Sequence, residues 1–266
     1  MKNPENFWEN LGKENPYWAV LTNDQFSKDL IDEKGKDIFF QTGVEHVKNV
    51  HKMFTKIYGK EFNYESALDY GSGVGRLTIP FAKHTSKTIG VDISLSMRNL
   101  AKSYSKSEQL NNCQYISPSE FMNRNDKFDL VHSFIVIQHI HPKIGIPIFK
   151  KLVDSVSDAK FGAIHITYDS GDRQKSSSLI ETCIALFKYL KYFTYCKFHN
   201  IEIKKNPFKD MDMYTYPHND LMSYLSKYTD SLHIKFTKHG SYGGCFFFFQ
   251  KKKNTEIDFP DESLTN

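Results

Sequence analysis

The 266-residue sequence has few cysteines, and their spacing is typical of neither a metal site nor a redox pair. The four are Cys113, Cys183, Cys196 and Cys245, with no C-x-x-C among them. We therefore interpret them as reduced thiols and predict no metal site and no redox-active disulfide.

The sequence also has no long hydrophobic run. Near its end the longest purely apolar stretch is Phe246 to Phe249, far below the roughly 20 residues that span a bilayer. Met1 to Asn10 lack the basic and apolar regions of a signal peptide. We expect no transmembrane segment and a cytoplasmic protein.

Charge of one sign is not in strong excess, because 35 basic and 31 acidic residues leave a formal net charge of +4. This balance is too even for a dedicated nucleic-acid binder, although it permits a small anionic substrate. A hydrophobic fraction of 39% and an aromatic fraction of 15% provide enough material for a core. Without a repeat or a Pro/Gly/Ser-rich linker, residues 1–253 are predicted to form a single domain, followed by a polar tail at 254–266.

Short apolar segments alternate with helix-like segments in the middle of the chain. This alternation predicts a parallel sheet covered by helices. The expected strands are 67–70, 88–92, 114–116, 128–134 and 161–167.

The remaining segments surround this core, which we place at residues 66–168. We expect a helical cap, a lid-like insertion rich in Lys and aromatic residues, and a closing helix with a hairpin. These are predicted at 1–60, at 170–215 with its basic aromatic stretch at 186–209, and at 218–253.

The strongest motif is Asp69-Tyr-Gly71-Ser-Gly73-Val-Gly75-Arg76, directly after a strand and before a helical run. Glycines let the backbone turn tightly and let a ligand approach closely. The second strand ends at Asp92, where a carboxylate can accept hydrogen bonds from ribose hydroxyls. The pattern predicts a ligand that carries a nucleoside, the alternative being a purely structural turn.

Two details distinguish the possible ligands. In a dinucleotide-binding loop, G-x-G-x-x-G, the third glycine would lie where this chain has Arg76. Asp69 would repel a pyrophosphate, whereas it suits a ligand with an ammonium and a sulfonium. The motif therefore favours S-adenosylmethionine, with a nicotinamide oxidoreductase as the alternative.

From about Ser66 to Thr167 the sequence resembles the class I S-adenosylmethionine-dependent methyltransferases, whose first motif is an acidic residue followed by G-x-G-x-G. The resemblance implies an α/β, Rossmann-like fold. Its sheet would have seven mostly parallel strands, an antiparallel C-terminal hairpin and helices on both faces.

The resemblance also assigns cofactor-binding residues. The methionine portion would lie on the glycine loop, the ribose on the acid of the second strand, and the adenine beside two residues that follow it. The acid that commonly contacts the adenine amino group is absent after the third strand, so that Ser119 or Glu120 would substitute. The implied set is Asp69, Gly71, Gly73, Gly75, Asp92, Ile93 and Met97.

The segment from Phe128 to Pro142 matches the family segment beside the transferred methyl group. Ser133 and Gln138 would contact the methionine end. His139 is our candidate general base, because a near-neutral imidazole can remove a proton from an attacking hydroxyl. The alternative is that His139 only caps or packs against the next helix.

The acceptor is less well defined. Two opening segments, Phe7 to Gly12 and Asn15 to Val20, are similar to the start of small bacterial methyltransferases associated with surface sugars. This similarity favours O-methylation of a sugar, a glycan precursor or another small-molecule hydroxyl. Alternatives are methylation of RNA or protein, or a non-catalytic module that only binds the cofactor. The insertion is interpreted either as a lid over the acceptor or as an ordinary amphipathic helix.

Overall fold

The structure is a computed structural model that describes residues 4–59, 62–169, 211–239 and 242–253. The proposed lid at 186–209 and the polar tail lie outside the described residues. Within the described part of the chain, no helix is long and apolar enough to cross a membrane.

Seven strands form one sheet in the order β3-β2-β1-β4-β5-β7-β6. The strands from β3 to β5 are parallel, whereas β7 runs antiparallel to both β5 and β6. The predicted parallel sheet with a C-terminal antiparallel hairpin is confirmed. The seven strands are β1 Ser66–Tyr70, β2 Lys87–Val91, β3 Cys113–Ile116, β4 Phe128–Ser133, β5 Val156–Asp169, β6 Thr229–His239 and β7 Tyr242–Lys251.

Eight α-helices are described. They are α1 Pro4–Glu14, α2 Pro16–Val20, α3 Glu33–Tyr58, α4 Thr78–Ala82, α5 Leu95–Ser107, α6 Pro118–Met122, α7 Pro142–Asp154 and α8 His218–Tyr228. The α1 to α3 helices occupy the region predicted as the N-terminal cap, and α8 with the hairpin occupies the predicted closing segment.

The side chains of β7 pack against helices on both faces of the sheet. Successive side chains of a strand point to opposite faces. Phe247 and Phe249 pack in the cluster that includes residues of α7 and α8, while Phe246 and Phe248 pack in the cluster of α3 and α4. The run of four phenylalanines is therefore a strand buried on both faces, and helices cover both sides as predicted.

The long helix α3 positions the site. It begins where Asp32 accepts a hydrogen bond from the Gly35 amide at 2.7 Å, and it ends at Gly59 with φ +67°. Midway, a Cβ on Gly43 would lie 2.0 Å from the Arg76 carbonyl oxygen. The missing side chain lets the helix backbone pack directly on the loop that follows β1.

Candidate active site

The loop after β1 has a backbone that requires glycine. Gly71, Gly73 and Gly75 have φ angles of +82°, +52° and +86°, in the region that L side chains rarely adopt. The Gly71 amide donates to the Val91 carbonyl at 2.7 Å, which ties the loop to the end of β2. A Cβ on Gly71 would lie only 2.1 Å from the Val136 side chain. The loop is thus fixed against the end of β2 and against the connection that follows β4.

Asp92 follows β2 and lies against this loop. One carboxylate oxygen accepts from the Gly73 amide at 2.8 Å and the other from the Ser94 amide at 2.9 Å. Burial raises the pKa of this carboxyl group, against the lowering effect of the two amides. Each oxygen retains a lone pair, so the carboxylate is held in place and can still accept hydrogen bonds from a ligand.

Two buried hydroxyls at the same edge of the sheet lack a hydrogen-bond partner among the described residues. They are Ser72 Oγ in the glycine loop and Ser133 Oγ at the end of β4. Buried polar atoms are normally paired, so unpaired ones at the carboxyl ends of parallel strands indicate a ligand site. Ser133 was predicted from the sequence, whereas Ser72 was not.

Asp69 turns towards the protein interior. Its oxygens accept from Thr78 Oγ1 at 2.7 Å and from His132 Nδ1 at 3.0 Å, and the side chain is buried. The other nitrogen of His132 lies 3.0 Å from Nε2 of His46 on α3. Burial, and then the charges near it, lower the pKa of His46 to about 2, so its neutral ring donates to His132. The structure therefore links Asp69 to α3 through two histidines.

The connection after β4 is strained and holds the candidate base. Ile135 has φ +59°, which is unusual for a β-branched residue. Residues with such strained backbone angles are often found at functional sites. His139 Nδ1 lies 3.0 Å from the Asp212 carbonyl, so Nδ1 carries the proton. Its Nε2 accepts from the Gln138 amide at 3.2 Å, because the Gln138 oxygen accepts from Thr167 Oγ1 at 2.7 Å.

Burial lowers the pKa of His139, and the bond to the Asp212 carbonyl only partly opposes that effect. The ring is therefore neutral at neutral pH, with its acceptor nitrogen towards Gln138. The segment that holds it, residues 211–216, lies far away in the sequence. Its Tyr214 amide donates to the Gln138 carbonyl at 2.7 Å. Most of this segment belongs to the lid-like insertion that the sequence predicts at 170–215.

The N-terminal helix covers this edge of the sheet. Glu9 of α1 accepts from Ser94 Oγ at 2.8 Å, from Ser96 Oγ at 2.6 Å and from the Ser96 amide at 3.1 Å. The neighbouring Trp8 ring lies edge-on to the His139 ring, with centroids 5.3 Å apart. Thus α1 joins the start of α5 to the loop after β4. No sequence pattern indicated this role of Glu9.

The other predicted cofactor residues lie near Asp92 or at the end of β3. Met97 is buried beside Gly12 of α1, and Ile93 is partly buried. Ser119 and Glu120 are exposed at the start of α6, where the Glu120 carboxylate accepts from the Ser117 amide in a capping box. The contact of these side chains with an adenine stays a prediction.

A groove of about 760 Å³ runs beside the N-terminal half of α3. Polar side chains at helical spacing form one wall, and Arg76 and Phe134 lie at the junction with the sheet. The polar side chains that α3 contributes to this wall are Asp37, Gln41, Thr42, Glu45, His46 and Asn49. Among the described residues, no group of three or more His, Cys, Asp or Glu side chains is arranged to hold a metal ion.

Residues 67–157 match the family model of a methyltransferase domain. This segment, roughly a third of the chain, contains the glycine loop, Asp92 and the loop after β4. No curated protein matches the sequence.

The fold resembles that of solved methyltransferases. Magnesium protoporphyrin IX methyltransferase from Synechocystis, with bound S-adenosylhomocysteine, is 15% identical with a TM-score of 0.57, over 93% of this chain and 98% of that one. The N-methyltransferase NodS from Bradyrhizobium japonicum, also with S-adenosylhomocysteine, is 11% identical with a TM-score of 0.51, over 92% and 98%.

The domain match, together with the shared fold, indicates a methyltransferase enzyme whose methyl donor is S-adenosylmethionine. One of these solved enzymes is named for a porphyrin acceptor and the other for N-methylation, so the fold does not define the acceptor.

Proposed function

We propose that the protein transfers the methyl group of S-adenosylmethionine to a hydroxyl of a small acceptor, and that the acceptor is a sugar or a glycan precursor. The assignment of S-adenosylmethionine as the donor rests on the glycine loop, which has three positive φ angles and lies beside the fixed carboxylate of Asp92. Bound there, S-adenosylmethionine supplies an electrophilic methyl group.

The residues at the strand ends fit this donor. Asp92 has lone pairs for the ribose hydroxyls, and the unpaired hydroxyls of Ser72 and Ser133 lie where hydrogen-bonding groups of a ligand are expected. Gly71, Gly73 and Gly75 leave room for the methionine portion, and Gln138 lies at its far end. The α1 helix closes the edge of the site and excludes water.

His139 is proposed as the general base. Its Nδ1 proton is fixed on the Asp212 carbonyl, and its lowered pKa keeps Nε2 unprotonated at neutral pH. Within the described part of the chain, Nε2 accepts only from the Gln138 amide, at a long distance of 3.2 Å, and an incoming hydroxyl can replace this bond. The ring then takes the proton of the acceptor hydroxyl as the methyl group is transferred.

The groove beside α3 supports a polar acceptor. Carboxylate and amide side chains such as Asp37, Gln41 and Asn49 can each hydrogen-bond to hydroxyl groups, while the ring of Phe134 offers an apolar surface. Carbohydrates present both kinds of surface. The carboxylates of this wall also disfavour a large polyanion such as RNA.

The acceptor is tested by turnover. The purified protein is incubated with S-adenosylmethionine and, separately, with methyl glycosides, UDP-N-acetylglucosamine and GDP-mannose, and S-adenosylhomocysteine formation is followed by mass spectrometry. We expect product, with a mass increase of one methyl group on at least one sugar. Donor binding without turnover of any sugar, but with turnover of amines or RNA, would contradict the sugar assignment.

The base is tested with His139→Asn, using His141→Asn as the matched control. His141 lies two residues away and caps α7 by accepting from the Lys143 amide, a role that Asn retains. We expect His139→Asn to lower kcat by a factor of about 10² or more while S-adenosylhomocysteine binding is kept. Turnover by His139→Asn at the rate of the control would show that another group removes the proton.

A further inference from the structure

Arg76 is a buried cation without a carboxylate partner among the described residues. It is only 6% exposed, its Nη1 donates to Thr42 Oγ1 at a long 3.3 Å, and its Nε has no acceptor. Burial lowers the pKa of the guanidinium to about 10, and the charge of Asp69 only partly compensates. The side chain is therefore still charged at neutral pH.

A charge taken out of water is costly unless an opposite charge pairs with it. Because the described protein supplies no ion pair for Arg76, a ligand is the natural source of the missing negative charge. The planar guanidinium presents paired N–H donors whose geometry matches that of a carboxylate.

The position of Arg76 restricts which ligand can supply that charge. It directly follows Gly75 of the glycine loop, and it lines the groove beside α3 together with Thr42 and His46. Asp37 and Glu45 line the same groove and repel extended polyanions. The anion that this arrangement accepts is small and carries a single charged group.

We propose that Arg76 binds the carboxylate of a ligand at the floor of this groove. The inference rests on the proposed function, because two ligands of that reaction can bring a carboxylate here. One is the methionine end of S-adenosylmethionine, held on the adjacent glycine loop, and the other is an acidic acceptor in the groove.

Calorimetric titration tests the donor as the source. S-adenosylmethionine and decarboxylated S-adenosylmethionine are titrated into the wild type, Arg76→Met and Arg76→Lys. If the donor carboxylate binds Arg76, the wild type prefers S-adenosylmethionine by roughly 10- to 100-fold and Arg76→Met binds both within about threefold. Arg76→Lys keeps the charge without the paired donors, so it retains part of the preference.

The control is Arg124→Met. Arg124 pairs with Asp126 away from the groove, so this variant also loses one guanidinium but should bind both donors as the wild type does.

A second titration tests the acceptor as the source. With the donor site saturated by S-adenosylhomocysteine, D-glucuronate and D-glucose are compared by saturation-transfer NMR. If an acceptor carboxylate binds Arg76, the wild type shows transfer to glucuronate that is stronger than to glucose, and Arg76→Met loses the difference. The donor preference of Arg76→Met would then equal that of the wild type.

Thermal unfolding without ligand separates a binding role from a structural one. Since Arg76 has no ion pair to lose, Arg76→Met should melt at the wild-type temperature or above it. If the donor supplies the carboxylate, S-adenosylhomocysteine should also raise the melting temperature of Arg76→Met less than that of the wild type. A clearly lower melting temperature without ligand would mean that the cation supports the fold, which would overturn the inference.

The inference is also overturned if Arg76→Met keeps both the wild-type donor preference and the glucuronate signal, although the proposed function would stand. Failure of the wild type to bind S-adenosylmethionine at all would instead reject the proposed function, and the inference with it.

Discussion

Replacing Glu9 by Gln should release α1 from the start of α5. The carboxylate accepts three hydrogen bonds, from Ser94 Oγ, Ser96 Oγ and the Ser96 amide, at 2.8, 2.6 and 3.1 Å. Hydrogen bonds to a charged group contribute about 1.5–3 kcal/mol each when buried, but the Glu9 side chain is 21% exposed and water screens part of the effect. Since Gln can still accept one or two of these bonds, we estimate a loss of about 2 kcal/mol.

A loss of about 2 kcal/mol changes an opening equilibrium by roughly 30-fold. Hydrogen exchange followed by mass spectrometry measures this opening equilibrium of α1. The amide protection of residues 4–14 should fall by that factor in Glu9→Gln. Glu14→Gln is the matched control, since Glu14 is exposed on the same helix. Wild-type protection of α1 in Glu9→Gln would refute the role assigned to this carboxylate.

The same contact predicts a pH dependence. Partial burial alone would raise the pKa of Glu9, but the hydrogen bonds from Ser96 and Ser94 and the nearby Lys13 lower it from 4.5 to about 2. A lowered pKa in the folded state means that the stabilisation is complete above about pH 4.5 and is lost as the pH falls towards 2. Protection of α1 in the wild type should decrease over that interval, while that of Glu9→Gln should stay constant.

Three further predictions concern the core and the base. Gly43→Ala places a methyl group 2.0 Å from the Arg76 carbonyl oxygen and should cost about 3 kcal/mol, measured by denaturant unfolding; unchanged stability would contradict the close contact. His132→Phe leaves the buried carboxylate of Asp69 with only Thr78 as a donor, so about 3 kcal/mol should be lost in the same assay, and a neutral effect would show that Asp69 does not depend on its hydrogen bond from His132. With an active acceptor, kcat should fall with decreasing pH only below the ordinary histidine pKa of 6.5, because burial lowers the pKa of His139; an acid limb centred above 6.5 would contradict that environment.

The features that sequence patterns predicted are local ones. The strands around Leu68, Ile89 and Val131 are short apolar runs, and the glycine loop occupies positions where the backbone has positive φ. Such signals depend on neighbours within a few residues, so composition and spacing reveal them. The seven mostly parallel strands and the antiparallel C-terminal hairpin then follow from the resemblance to the family.

The features that the sequence did not reveal depend on contacts between distant segments. Glu9 meets Ser94 and Ser96 only after α1 packs on α5, and His46 meets His132 only after α3 crosses the sheet. On a helix, a polar side chain that binds a distant partner follows the same periodicity as one in solvent. For this reason the polar stripe of α3, which lines the groove, carried no separate signal.

The central claim is that the glycine loop and Asp92 bind S-adenosylmethionine. The most direct test is calorimetric titration of the purified protein with S-adenosylmethionine, S-adenosylhomocysteine and NAD, repeated with Asp92→Ala. We predict binding of the first two ligands, no binding of NAD, and affinities at least tenfold weaker in Asp92→Ala. Binding of NAD alone, or of none of the three by the wild type, would contradict it.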